Sequence, residues 1–327
     1  MTSQEKNRIK FNEYIDEKAK KIENQEKIKF INLKKFIRPV LRTILKLQRK
    51  VNHQTVEIIQ YTEKPDNKQV VFVVSHIGKW DFEIVNEQIR DHFYVIASDF
   101  INMNGTIGGI FMKANGVVFV DVDNKEDRKN SLKFLKQVIE QGDNVMIFPE
   151  GTWNLDENHI INDIHFGAVD IALEKQAIII PIAIEQFGKR FVINMGNVYN
   201  PTEIKEQFTN ISYKQLEDNC QLKDKIKLTA NTILRDQLAT LKYEIWEREG
   251  VYERSEISPG YWQDFIEQRK KEWPGYSMTE QYRNGCFPKE KKNYIDMVNQ
   301  LQNMKIRENN EFLFMNQEDF IKKYTKK

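Results

Sequence analysis

Between Val51 and about Asn200 the chain keeps returning to one arrangement, a short β-branched apolar run followed by a stretch with apolar residues at helical spacing. The apolar runs fall at 70–74, 93–97, 117–121, 145–148, 178–184 and 190–195, with helical patterns between most of them near 80–91, 105–114, 125–141 and 165–176. The run VVFVV at 70–74 is apolar at every position, without alternation, which marks a strand covered on both faces. Strands that alternate with helices need crossover connections, and these give a parallel sheet. The expected fold is therefore α/β, a mostly parallel central sheet flanked by helices. In such sheets the working residues gather at the strand ends, where loops can hold them.

The segments outside this region have other textures. Residues 1–50 hold fifteen Lys/Arg and six Asp/Glu, a local charge of +9 in a chain whose net charge is +2. Residues 27–50, KIKFINLKKFIRPVLRTILKLQRK, contain no acid. Apolar Phe30, Leu33, Phe36, Ile37, Val40, Leu41, Ile44 and Leu45 recur three or four apart, and Lys34, Arg38, Arg42, Lys46 and Arg49 form the opposing stripe. This is a basic amphipathic helix, with Pro39 placed to kink or divide it. It suits an anionic membrane surface, where apolar burial and charge attraction add. Packing on the domain's own core with a solvated basic face is the competing reading. Nucleic acid fits less well, because the aromatics sit in the apolar stripe and not among the basic residues.

Residues 221–248 read as one long amphipathic helix. Beyond Gly250, Tyr252, Tyr261, Trp262, Trp273, Tyr276 and Tyr282 crowd a segment broken by Pro259, Pro274 and Pro288, and mixed-charge helix returns from about residue 289. Three divisions follow: a basic helical segment at 1–50, an α/β domain at 51–249, and an aromatic-rich, mostly helical C-terminal extension at 250–327. Two cysteines, Cys220 and Cys286, are too few for a disulfide framework or a zinc site, and point to a reducing, cytoplasmic setting. No apolar run approaches the roughly 20 residues of a spanning helix, and the N-terminus lacks the apolar core of a signal peptide.

Two stretches carry chemistry. After the 70–74 run come Ser75, His76 and, five residues past the histidine, Asp81 in the first turn of the next helix. That turn can bring Asp81 back onto the His76 ring, which is how a general base is held. Equally, Ser75 can cap the helix while Asp81 complements its dipole, leaving His76 incidental. The second stretch is VMIFPEGTWN, in which a strand ends in Phe148 and Pro149 and then Glu150, Gly151 and Thr152 follow. Such a loop can cradle a phosphate or position an alcohol, and it can also be an ordinary turn. Nucleotide-binding glycine motifs and the G-x-S-x-G elbow are absent from the sequence.

Taken together these stretches resemble the glycerophospholipid, or lysophospholipid, acyltransferase family. Its first block, H-x-x-x-x-D, is matched by His76 and Asp81, and its third, F-P-E-G-[ST], by Phe148, Pro149, Glu150, Gly151 and Thr152. Its fourth, an apolar strand with a proline, is matched by Ile179, Ile180, Pro181 and Ile182. The second block departs: Gly116 to Asp121 fits, but Val122 stands where the family has an arginine for the acceptor's phosphate. Arg128, six residues on, is the expected substitute from the next helix.

The resemblance implies transfer of a fatty acyl group from a thioester donor, acyl-CoA or acyl-carrier protein, to a hydroxyl of a lysophospholipid or a related glycerol- or glycolipid acceptor. His76 would be the base and Asp81 its orienter, with Glu150, Gly151, Thr152, Arg128 and Lys79 on the acceptor side. No metal and no cofactor beyond the cosubstrate is implied. The expected partners are the lipid acceptor, the donor and an anionic membrane, with no nucleic acid, and the expected place is the inner face of the membrane, as a peripheral protein. Rival readings are a hydrolase using the same pair on water, and a membrane-surface protein with a dead site. Ser75 is expected as a helix cap and His165 as local structure, and His53, His92 and His159 take no role.

Overall fold

The computed structural model describes residues 3–98, 100–154 and 160–250, with 264, 267 and 271. The extension expected at 250–327 otherwise lies outside the described residues, as does His159. In chain order the elements are α1 (Ser3–Glu23), α2 (Ile31–Val51), β1 (Thr55–Gln60), β2 (Val70–Val74), α3 (Asp81–Gln88), β3 (Phe93–Ala97), α4 (Phe100–Met103), α5 (Ile107–Ala114), β4 (Val117–Phe119), α6 (Lys125–Glu140), β5 (Asn144–Ile147), α7 (Gly167–Lys175), β6 (Ile178–Phe187), β7 (Arg190–Met195), α8 (Pro201–Phe208), a 3-10 turn (Tyr213–Asp218) and α9 (Cys220–Glu249).

The strands form one seven-stranded sheet in the order β1-β7-β6-β2-β5-β3-β4. From β6 through β4 every pairing is parallel; β7 then returns antiparallel on β6, and β1 runs beside β7. The expected α/β fold is present. The VVFVV run shows why it reads without alternation. Val71 and Val73 pack with Leu135 and Val138 of α6, Val169 of α7 and Leu238 of α9 on one face. Val70, Phe72 and Val74 pack with Ile84 and Val85 of α3 and Phe11 of α1 on the other. Each such side chain contributes about 1.5–3 kcal/mol by leaving water, so neither face tolerates a polar residue.

Strand β1 and helix α8 were not expected. The first is a half-exposed edge strand whose Glu57 pairs with Arg190 and Arg248, so its apolar signal is weak. The second carries a readable start: Asn200 caps it by accepting Thr202 N, and Pro201 opens it.

Helix α2 corrects the expectation for residues 27–50. It runs unbroken through Pro39, but its basic stripe, Lys46 apart, faces the protein. Arg38 is 3% exposed, and its guanidinium donates to the backbone oxygens of Asp91 (3.0 Å), Asn86 (2.6 Å) and Ile89 (2.7 Å) and to the Asn86 side chain. Arg42 donates to Glu87 O at 2.8 Å, and Arg49 holds the Glu87 carboxylate at 2.6 and 3.0 Å. The carbonyls of Asn86, Glu87 and Ile89 are those at the end of α3, the negative pole of its dipole, where a planar fork of donors is well matched. Leu41 and Leu45 also turn inward, whereas Leu33, Phe36 (82% exposed), Val40, Ile44, Leu47 and Val51 face outward. The exposed side of α2 is thus largely apolar, the reverse of a solvated basic face.

Candidate active site

Strand register brings the two chemical stretches together. Val73 of β2 pairs with Ile147 of β5; three residues further along each chain stand His76 and Glu150, side by side at the carboxyl ends of adjacent strands. Strand β6, with Pro181 opposite Val73, flanks β2 on the other side.

Ser75 still belongs to the sheet. Its buried Oγ accepts Ile184 N at 3.0 Å, so it ties β2 to β6 and does not cap α3 as expected. The chain then turns sharply around Asp81, which is fully buried. One carboxylate oxygen, Oδ2, accepts Ile77 N at 2.5 Å and Gly78 N at 2.9 Å and holds His76 Nδ1 at 2.8 Å. A carboxylate can only accept, so Nδ1 carries the ring proton and Nε2 the lone pair. The His76 side chain is 20% exposed. Its ring lies on Phe148, with centroids 4.4 Å apart, and edge-on to Trp153 at 6.1 Å. The arrangement fixes the tautomer and leaves Nε2 to take a proton from outside.

Glu150 is 1% exposed. Its Oε1 accepts His76 N at 2.8 Å and its Oε2 accepts Asn162 N at 2.9 Å, while Asn154 N donates to His76 O at 2.6 Å. Burial pushes the Glu150 carboxyl up; Lys242, the two N–H donors and His76 pull it back. Both oxygens are engaged inward, so the acceptor-binding role expected for Glu150 gives way to a clamp on the His76 backbone.

Gly151 has φ 67°, and a Cβ there would lie 2.9 Å from His165 Nε2, so both backbone and space require glycine. His165 N is anchored on Pro149 O at 2.8 Å. Its imidazole is pushed below the ordinary value by burial and then by the charge of Arg128, so Arg128 reaches the neighbourhood of the F-P-E-G-T turn. Arg128 itself is exposed and donates to Val122 O, the residue that replaces the family arginine. Lys79, in the turn between β2 and α3, is exposed, with Nζ 4.9 Å from the Trp80 ring centre. Thr152 follows Gly151 in the turn.

Sequence reasoning missed Asn162, Trp153 and a buried group on α9, Lys242 and Trp246, that meets Glu185 of β6. Only Lys242 left a signal, being a charged residue flanked four positions away by Leu238 and Trp246 on the apolar stripe of its helix. Among the described residues no set of three or more His, Cys, Asp and Glu is placed to hold a metal, and no helix is long and apolar enough to cross a membrane.

Fold and site define an α/β protein with a histidine–aspartate pair at the strand ends of a mostly parallel sheet. Residues 53–185 match the family model "Acyltransferase", a stretch that holds both the His76–Asp81 pair and the F-P-E-G-T turn. An uncharacterised acyltransferase of Schizosaccharomyces pombe is 27% identical over 126 residues, 38% of this chain and 45% of that protein. The match therefore spans less than half of that relative's length. The crystal structure of the 1-acyl-sn-glycerophosphate (LPA) acyltransferase PlsC from Thermotoga maritima aligns with a TM-score of 0.44 at 13% identity, over 68% of this chain and 88% of that one.

Proposed function

We propose that the chain transfers a fatty acyl group from a thioester donor, acyl-CoA or acyl-carrier protein, to a hydroxyl of a lysophospholipid or related glycerol- or glycolipid acceptor. The observation that carries this reading is the pair that follows β2: His76 Nδ1 on Asp81 Oδ2 at 2.8 Å, with the partly exposed ring lying on Phe148 of the F-P-E-G-T turn. Nε2 takes the acceptor's hydroxyl proton as the oxygen attacks the thioester carbonyl carbon. The C–O bond forms, the C–S bond breaks, and the proton on Nε2 passes to the departing thiolate. Because the donor is already activated, the protein need only deprotonate the alcohol and hold it in line. A base so placed contributes about 10²–10⁴-fold. Gly151, Thr152, Arg128 and Lys79 are assigned to the acceptor side, with Arg128 serving in place of the arginine absent at Val122.

The deciding experiment supplies a radiolabelled acyl thioester with a panel of lysolipids. A product lipid that gains the label, and is lost in His76→Ala, is the expected result. Release of free fatty acid at a rate indifferent to added alcohol would replace transfer by hydrolysis.

A lipid acceptor resides in a bilayer, and the outward apolar stripe of α2 supports a peripheral placement with α2 against the inner leaflet. Lys35, Lys46 and Lys50 of α2 remain exposed to meet anionic headgroups, but Lys34, Arg38, Arg42 and Arg49 are turned inward. Vesicle flotation of the full chain should therefore weaken several-fold in Phe36→Ser/Val40→Ser and respond only mildly to salt. A steep loss of binding in salt would restore the electrostatic reading of residues 27–50.

A further inference from the structure

An edge strand leaves one row of backbone N–H and C=O groups without a neighbouring strand, and a buried edge needs partners for them. Strand β4 closes the sheet, with β3 on its one paired side. Val120 N donates to Ala97 O of β3 at 2.9 Å, so the alternation of the strand turns the N–H and C=O of Phe119 to the open side. Phe119 is fully buried there, and α1 supplies both partners. Phe119 N donates to Tyr14 Oη at 3.2 Å, and Lys18 Nζ donates to Phe119 O at 2.8 Å. The Lys18 ammonium meets Ser131 Oγ and the Asp127 carboxylate of α6, each also at 2.8 Å. Every proton of the ammonium thus has an acceptor. The other Asp127 oxygen, Oδ2, accepts Asp121 N at 2.8 Å. Asn124 caps α6 by accepting Glu126 N and Asp127 N, and Arg128 of the same turn donates to Val122 O.

We propose that Lys18 and Tyr14 of α1 are positioning residues for the acceptor: they hold the end of β4, and Lys18 with Asp127 fixes the turn that carries Val122 and Arg128. Helix α1 lies outside the residues that match the family model. Residues 120–128 leave β4 at its carboxyl end, the end of the parallel strands at which His76 follows β2. The Asp127 side chain has no exposed area, so without Lys18 its charge is buried and uncompensated. The turn then opens to let water reach Asp127, and Asp121, Val122 and Arg128 move with it. The bonds of Lys18 and Tyr14 run to β4 and α6. Their loss is therefore read in how the acceptor is held, and not in the proton transfer at His76.

This role rests on Arg128 holding the acceptor's phosphate, as proposed above, so the test has one arm that reads geometry and one that reads activity. In the full chain, the variants are Lys18→Met, Tyr14→Phe, Arg128→Ala, Lys18→Met/Arg128→Ala and Lys18→Met/Asp127→Asn. The last removes the ion pair together and leaves no charge buried alone, should Lys18→Met not fold. In the geometric arm, hydrogen exchange is read by mass spectrometry. Peptides over 117–124 should lose protection in Tyr14→Phe and in the variants that lack Lys18, while peptides over 70–82 keep the wild-type rates. In the activity arm, KM for a lysophospholipid should rise about 10-fold in Lys18→Met, the loss of about one charge-assisted bond. The donor KM and kcat should stay nearly unchanged. Arg128→Ala should raise the same KM, and adding Lys18→Met should raise it no further. Exchange that rises evenly over the sheet, or a fall in kcat with KM unchanged, would leave Lys18 a role in stability alone and overturn the proposal. So would rises in KM that simply multiply, or an acceptor KM indifferent to Arg128→Ala. Should transfer be missing even in the wild type, the proposed function fails, while exchange over 117–124 still decides whether α1 holds the turn.

Discussion

The sheet carries two histidine–aspartate pairs of nearly identical geometry at opposite ends. His76 Nδ1 meets Asp81 Oδ2 at 2.8 Å, and His92 Nδ1 meets Asp143 Oδ2 at 2.7 Å. The first follows the end of β2. The second precedes the starts of β3 and β5, where Phe93 pairs with Asn144 and so places His92 beside Asp143. His92 and Asp143 are wholly buried, and His92 Nε2 has no partner among the described residues. The His76 ring is partly open, and its backbone is clamped by Glu150. An aspartate on Nδ1 therefore does not make a base. What separates the pairs is access: the His76 ring is partly open at the carboxyl end of β2, whereas the His92 ring is sealed at the start of β3.

The largest contrast lies in activity against stability. His76→Ala should cut acyl transfer by about 10²–10⁴-fold and leave the melting temperature nearly unchanged. His92→Ala should do the opposite, costing about 3 kcal/mol as buried Asp143 Oδ2 loses its partner, while the folded fraction keeps its rate. Denaturant curves and initial rates on the same preparations check both, and a catalytic loss in His92→Ala would erase the distinction. The aspartates sharpen it. Asp81→Asn should lower the rate by on the order of 10²–10⁴-fold by permitting the wrong tautomer, whereas Asp143→Asn should be read in stability alone.

How much of this could be read from the chain follows from where each signal sits. His76 and Asp81 lie within one turn of each other, directly after an apolar run, so strand, turn and pair are all local. His92 and Asp143 are 51 residues apart and meet only because β5 lies beside β3, an order that no local pattern encodes. Helix α2 shows a third case. Its periodicity was legible, but which stripe faces inward depended on the carbonyls at the end of α3. The Glu150 clamp lay hidden in the same way, since the F-P-E-G-T motif names the residue and only the register turns its carboxylate toward His76 N.

A smaller effect separates the pairs by pH. Burial pushes the His92 imidazole below its ordinary 6.5, against the opposing pull of Asp143, with Lys34 and Arg38 adding to the depression. A histidine kept neutral in the fold contributes stability above the unfolded value that drains away as pH falls below about 6.5, because the unfolded chain takes up the proton first. The wild type should thus lose stability between pH 7 and 5. His92→Gln should be weaker at pH 7.5 yet flatter across that window, by urea denaturation at stepped pH. An equally steep fall in His92→Gln would assign the acid sensitivity to other groups.

The smallest effect tests the first turn of α3, where Glu83 stands two residues from Asp81. Asp81 has one oxygen bound by three partners, whereas Glu83 Oε2 is buried without any among the described residues. Burial raises the Glu83 carboxyl to about 7, its own backbone N–H opposing and the charge of Asp81 adding. The sign is opposite to that of His92: stability is complete below the unfolded value near 4.5 and is lost as pH rises through about 7. Glu83→Gln, neutral at every pH, should therefore match the wild type at pH 5 and exceed it at pH 8, by on the order of 1–3 kcal/mol. A gain that is the same at both pH values would mean that Glu83 titrates as an ordinary surface carboxylate. The three donors on Asp81 would then be a local convenience of the turn, and not the reason that one of two neighbouring carboxylates is set apart to hold His76.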